Sequence, residues 1–220
     1  MKFEVDGKTL KITGSGKFYA KLGSMVAYKG DFKFTKDIFG PGEKSGIGGL
    51  VGKVAKQAIR AVTGEQLHLM MVEGEGECYI ADEACNIHVI ELEPSGRWKD
   101  IYVESSEILA FTDKCKIDVV MLDVGSIRKG GLFMTKVSFG GEKSIVAVKT
   151  KGEPIKLEIP CVVGPDACIA WTGKAHRAIA DITFKTIIGK SSGETFKLSF
   201  DVEGQTVIVQ PSERTYLSQN

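Results

Sequence analysis

Two short signatures alternate along this chain, and they do so three times in the same order. The first is a small or acidic residue, apolar residues, alanine and an aromatic: SMVAY at 24–28, EILAF at 107–111 and the shorter CIAW at 168–171. The second is read as a glycine-containing turn running into an apolar strand: EGEGECYI at 73–80, FGGEKSIV at 139–146 and VEGQTVI at 202–208. A longer match, GEQLHLM at 64–70 against GETFKLS at 193–199, ties the first part of the chain to the last. Self-similarity in fixed order means one supersecondary unit used several times, each copy burying its face against a neighbour. The copies span about 18–92, 102–159 and 160–211, with a period near ~60 residues once an insertion in the first is set aside.

The unit is β. Phe196, Leu198, Phe200 and Val202 alternate with Lys197, Ser199 and Asp201, and Ile155, Leu157 and Ile159 alternate with Lys156 and Glu158. Each pattern describes a strand with one wet and one dry face. Residues 1–12 read as a hairpin: Phe3 and Val5, then Asp6-Gly7, then Leu10 and Ile12. Asp-Gly suits a two-residue type I′ turn, in which both central positions need positive φ. With 26 glycines against 6 prolines, the chain is rich in turns and bulges. The expected fold is all-β, a single compact domain over 1–220 made of repeated antiparallel units.

One helix interrupts it, a helical insertion at 45–63. Ile47, Leu50, Val51, Val54, Ala55, Ala58, Ile59 and Val62 hold the i, i+3, i+4, i+7 spacing of an apolar stripe. Lys53, Lys56, Gln57 and Arg60 make the opposite face, and Gly64 closes the helix. The stripe either lids an open sheet or forms an interface, for which Ile47, Leu50, Val51, Val54, Ala58, Ile59 and Val62 are the candidate residues. Three basic residues without Trp or Phe make a weak membrane-surface helix.

Charge excludes a global attraction to polyanions: 29 basic and 28 acidic side chains leave a net +1. Five cysteines, Cys78, Cys85, Cys115, Cys161 and Cys168, are an odd number with no CxxC pair. They are expected as reduced thiols in a reducing compartment. The start MKFEVDGKTLKI is too charged for a signal peptide, and no apolar run reaches the roughly 18 residues of a spanning helix. A cytoplasmic location is expected.

GSMVAY, the glycine-rich GIGGLVGK, TGEQLHL and the closing GQTVIVQP together resemble the "altered inheritance of mitochondria" family. Its members resemble tandem copies of the jelly-roll unit of the tryptophan-dependent RNA-binding attenuation protein. The resemblance covers nearly the whole chain. It implies an internally duplicated jelly-roll or sandwich with an inserted helix, and self-assembly. The fungal mitochondrial member is associated with inner-membrane organisation, whereas prokaryotic members are largely without assigned function. The family carries no accepted catalytic residues. The RNA-binding cousin uses basic side chains at repeated positions, and no such triplet recurs in these copies, so nucleic acid is an unlikely partner.

Chemistry is sparse in the sequence. GGLVGK at 48–53 opens the helix, where N–H groups favour anions. It is one residue short of the phosphate-loop spacing, and Val54 stands where the hydroxyl residue belongs. The histidines are His68, His88 and His176, with His68 between Leu67 and Leu69 and therefore on a wet face. No GxSxG elbow exists, and Ser126-Ile127-Arg128-Lys129 lacks the companions of an SxxK enzyme. Cys85 and His88 have ligand-like spacing without a second pair. Glu73, Glu75 and Glu77 suit either a hard cation or a solvated turn. No catalytic residue, metal site or cofactor is assigned. The expectation is a non-enzymatic, self-associating scaffold or interaction protein, a homo-oligomer open to protein partners; a small-ligand or nucleic-acid binding module is the alternative.

Overall fold

The structure is a computed structural model that describes residues 1–37, 68–122, 132–173 and 197–212. The expected helix, with Ile47, Leu50, Val51, Val54, Ala58, Ile59 and Val62, lies outside the described residues. The regular structure of those described is strand, apart from single 3-10 turns at Arg97–Lys99 and Ser105–Glu107. The first strands are β1 (Lys2–Asp6), β2 (Thr9–Lys21), β3 (Met25–Asp37) and β4 (Leu69–Ile80). Next come β5 (Asn86–Glu91), β6 (Asp100–Val103), β7 (Ile108–Thr112), β8 (Lys116–Leu122), β9 (Leu132–Ser138) and β10 (Ile145–Thr150). The last are β11 (Ile155–Glu158), β12 (Cys161–Val163), β13 (Cys168–Thr172), β14 (Leu198–Phe200) and β15 (Thr206–Val209).

All pairings among them are antiparallel. The first sheet runs β3-β4-β2-β7-β10-β5 with β1 added to β2, the second runs β11-β15-β13-β6-β9-β8, and β12 pairs β14 in a third. One face of the first sheet closes a core of Phe3, Leu10, Ile12, Phe18, Val72 and Leu109. Its other face sends Tyr19, Phe111, Val146 and Val148 into a core shared with Ile101, Val103, Ile169 and Ile208 of the second sheet. Beyond the second sheet, Tyr102, Trp171 and Val207 pack with Leu198 and Phe200. β7 and β13 are therefore buried along their whole length, each between two cores. This is why they read as unbroken apolar runs rather than alternating ones.

Three local expectations are corrected. Asp6 pairs with Thr9, so the first turn is Gly7-Lys8, one residue later than Asp6-Gly7. Of these two only Gly7 has positive φ, at 59°. Glycine at the first central position marks type II′ rather than I′. Second, EGEGECYI is not a turn: it lies inside β4, which pairs with β2 on one side and β3 on the other. Gly14, Gly76 and Gly30 sit opposite one another across the three strands. A Cβ on Gly74 would come 2.0 Å from the Asp31 carbonyl oxygen, so the close approach of the long strands requires glycine. FGGEKSIV and VEGQTVI do turn, before β10 and β15. Third, Ile155 does not face a core. Among the described residues β11 is the outermost strand of its sheet, and Ile155 is exposed.

Candidate functional site

SMVAY, EILAF and CIAW lie on β3, β7 and β13, and each strand pairs with the strand of the glycine signature that follows it: β4, β10 and β15. In all three pairs the ladder skips one residue, the one before the alanine: Val26, Leu109 and Ile169. Alanine and aromatic then re-enter register, as Ala27↔Tyr79 and Tyr28↔Cys78, Ala110↔Ala147 and Phe111↔Val146, Ala170↔Ile208 and Trp171↔Val207. A bulge adds one unpaired residue and a local twist. In β7 it lets Leu109 and Ala110 share one core while Ile108 and Phe111 reach the other.

β7 and β13 have a second neighbour. β2 joins β7 through Phe18↔Thr112, Tyr19↔Phe111 and Ala20↔Ala110. β6 joins β13 through Ile101↔Thr172, Tyr102↔Trp171 and Val103↔Ala170. The two aromatic pairs stack alike, Tyr19 on Phe111 at 5.3 Å and Tyr102 on Trp171 at 5.6 Å. Tyr19 precedes Tyr28, and Tyr102 precedes Phe111, by the same nine residues; Val162 on β12 precedes Trp171 by nine as well. β12 pairs with β14 as β2 pairs with β4 and β6 with β9. Among the described residues, however, β12 has no strand on its other edge, and β3 has none beyond β4. The exposures follow: Tyr19 and Tyr102 are 6% and 7% exposed, Val162 60%; Phe111 and Trp171 are 0% and 2%, Tyr28 49%.

A second cluster sits just past the end of β4. The Lys149 ammonium on β10 and the Lys21 ammonium at the end of β2 each donate to Asp82 Oδ2 at 2.5 Å, and Glu83 lies 3.6 Å from Lys149. Burial of Asp82 would raise its pKa, but its bonds to Lys149 and Lys21 outweigh that and hold the carboxyl below its ordinary value. Burial likewise opposes the charge on Lys149, and the carboxylates of Asp82 and Glu107 outweigh it. With its charge compensated from several sides, this lysine on β10 is held to Asp82 and Glu83 beyond β4.

The residues singled out for chemistry do not converge. Among the described residues no three His, Cys, Asp or Glu side chains are grouped as a metal site would group them. Cys85 is buried, and the half-buried His88 has its pKa lowered by burial and by Lys156. Glu73, Glu75 and Glu77 line the wet face of β4, with Lys17 3.6 Å from Glu73 and Lys11 3.0 Å from Glu77. None of the five cysteines is in a disulfide. Burial pushes the Cys78 and Cys115 thiols up to about 11 and raises Cys85 and Cys161, the opposite of a nucleophile's tuning. His68 is exposed, as its flanking leucines imply. His176, GGLVGK and Ser126 to Lys129 lie outside the described residues. The open edges at Tyr28 and Val162 were not anticipated, although the nine-residue spacing was there to be read.

No functionally curated protein matches the chain. Its fold is similar to that of the crystal structure of protein SPYM3_0169 from Streptococcus pyogenes, with a TM-score of 0.67 and 18% identity, covering 96% of this chain and 94% of that one. No helix among the described residues is long and apolar enough to cross a membrane. The profile of the mitochondrial biogenesis AIM24 family matches residues 3–212, and the chain belongs to that family.

Proposed function

We propose that this protein is a cytoplasmic, non-enzymatic scaffold of jelly-roll-like copies that assembles into a closed homo-oligomer. One observation carries the reading. Among the described residues, six of the seven large apolar side chains that stay exposed lie on outermost strands: Val5 on β1, Met25, Val26 and Tyr28 on β3, Ile155 on β11 and Val162 on β12; the seventh, Leu22, is in the turn before β3. An unpaired edge with apolar side chains is a template for another chain, and natural proteins blunt or cover such edges. The raised thiol pKa values and the compensated Lys149 support a role through surfaces rather than bond chemistry. Sedimentation at micromolar concentration tests it. A discrete particle well above the 23.8 kDa chain is expected, and a strictly monomeric species defeats the proposal.

A further inference from the structure

We infer that β12 of one molecule pairs antiparallel with β3 of a second copy, in the register Cys161↔Lys29, Val162↔Tyr28 and Val163↔Ala27. The inference rests on the self-association proposed above and names the surface that carries it. The chain builds this joint twice internally, between β2 and β7 and between β6 and β13. In both, the strand nine residues ahead of one Ala-aromatic signature pairs with the next signature along the chain. Among the described residues, β12 is a strand of that kind that pairs with no signature, and β3 carries a signature with which no such strand pairs. The two unmet halves are complementary, and transferring the observed register onto them gives the pairing above.

The exposed chemistry agrees. Met25, Val26, Ala27 and Tyr28 form an uncharged stretch, while Lys29, Asp31, Lys33, Lys36 and Asp37 follow along the same strand. Charges on an outermost strand discourage pairing, so β3 is guarded over most of its length and open over a segment about as long as β12. Val162 presents its side chain where Tyr19 and Tyr102 present theirs, and Tyr28 stands where Phe111 and Trp171 stand. Each molecule gives one strand and receives another, so the contact is heterologous and leaves no open partner only in a ring.

The test uses full-length Val162→Lys and Tyr28→Lys, each changed at a site exposed in the single chain. Wild type is expected to sediment as an oligomer and each variant as a monomer. An equimolar mixture should give a dimer and nothing larger, because the first variant keeps an intact β3 and the second an intact β12. If wild type is monomeric, self-association itself fails. If wild type assembles and both variants keep its mass, assembly uses another surface and this inference alone is overturned. A mixture that stays monomeric also overturns it, since an isologous contact cannot be rescued in this way. Hydrogen exchange of wild type serves if a variant fails to fold: amides at 161–163 and 25–29 should gain protection as concentration drives assembly. Unchanged exchange there refutes the pairing.

Discussion

The pair of strands β7 and β10 and the pair β3 and β4 share one construction and differ in what surrounds them. Both place a bulged residue before an alanine, and both set the aromatic opposite a small apolar partner, Val146 or Cys78. Phe111 then lies fully buried, stacked on Tyr19, between two sheets. Tyr28 leans on Phe32 and Phe34 of its own strand, with half its surface exposed. The local signature thus specifies the strand, the bulge and the pairing partner. Whether the aromatic becomes core depends on a strand supplied from elsewhere in the chain: β2 for Phe111 and, among the described residues, none for Tyr28.

The comparison can be broken at its buried side first. Phe111→Ala should cost about 3–5 kcal/mol, because it removes a ring from a core that two sheets enclose on either side. A loss below about 1 kcal/mol in chemical denaturation would mean the interior pair is no better packed than the outer one. Gly74→Ala probes what is peculiar to the outer pair, where β4 lies between two long strands. With a Cβ 2.0 Å from the Asp31 carbonyl and a φ of +155°, it should cost about 2–3 kcal/mol. A wild-type melting temperature for that variant would show that the glycines are dispensable to the coiling of β2, β3 and β4.

Asp82, just past β4, reaches Lys149 of β10 and Lys21 of β2, so Asp82→Asn should cost about 2 kcal/mol near neutral pH by leaving a buried lysine undercompensated. The pH dependence has a definite sign. Asp82 is depressed in the folded protein, so its contribution is fully present above its unfolded pKa of about 3.9 and is lost as pH falls through the lower folded value. Acid titration of stability should therefore be shallower in the variant than in wild type, and parallel curves would remove the cluster from the account. The smallest effect is expected at Tyr28. In the Val162→Lys background, Tyr28→Ala should change chain stability by less than about 1 kcal/mol, as exposed substitutions do. A Phe111-like loss there would show that Tyr28 is already core within one molecule.

Much of this was legible in the residues. Strand periodicity identified the all-β class, and the Ala-aromatic signatures located three strands whose pairing is the same down to the skipped residue. These are local properties: side-chain alternation, β-branched content and a backbone irregularity encoded over a few residues. The same local view misread the glycines of β4 as a turn. A glycine required by a neighbouring strand's carbonyl and a glycine required by a reversal look alike in one dimension. It also gave Ile155 a dry face, because alternation reports that two faces differ and not whether anything covers either of them.

What the sequence by itself determined is the unit: which residues extend, where the ladder skips, and in what order the copies follow. Only the tertiary structure decided which unit joins which. β2 reaches past its own signature to β7, and β6 reaches past its own to β13, so the joints between copies run between segments about 70–90 residues apart. Such contacts form only when chain connectivity, sheet twist and the two shared cores agree, and none of these is encoded near Tyr19 or Phe111. The open edges at β3 and β12 are decided at the same level: among the described residues no strand completes the joint at either, although Tyr28 and Val162 carry the same local spacing as the buried pairs.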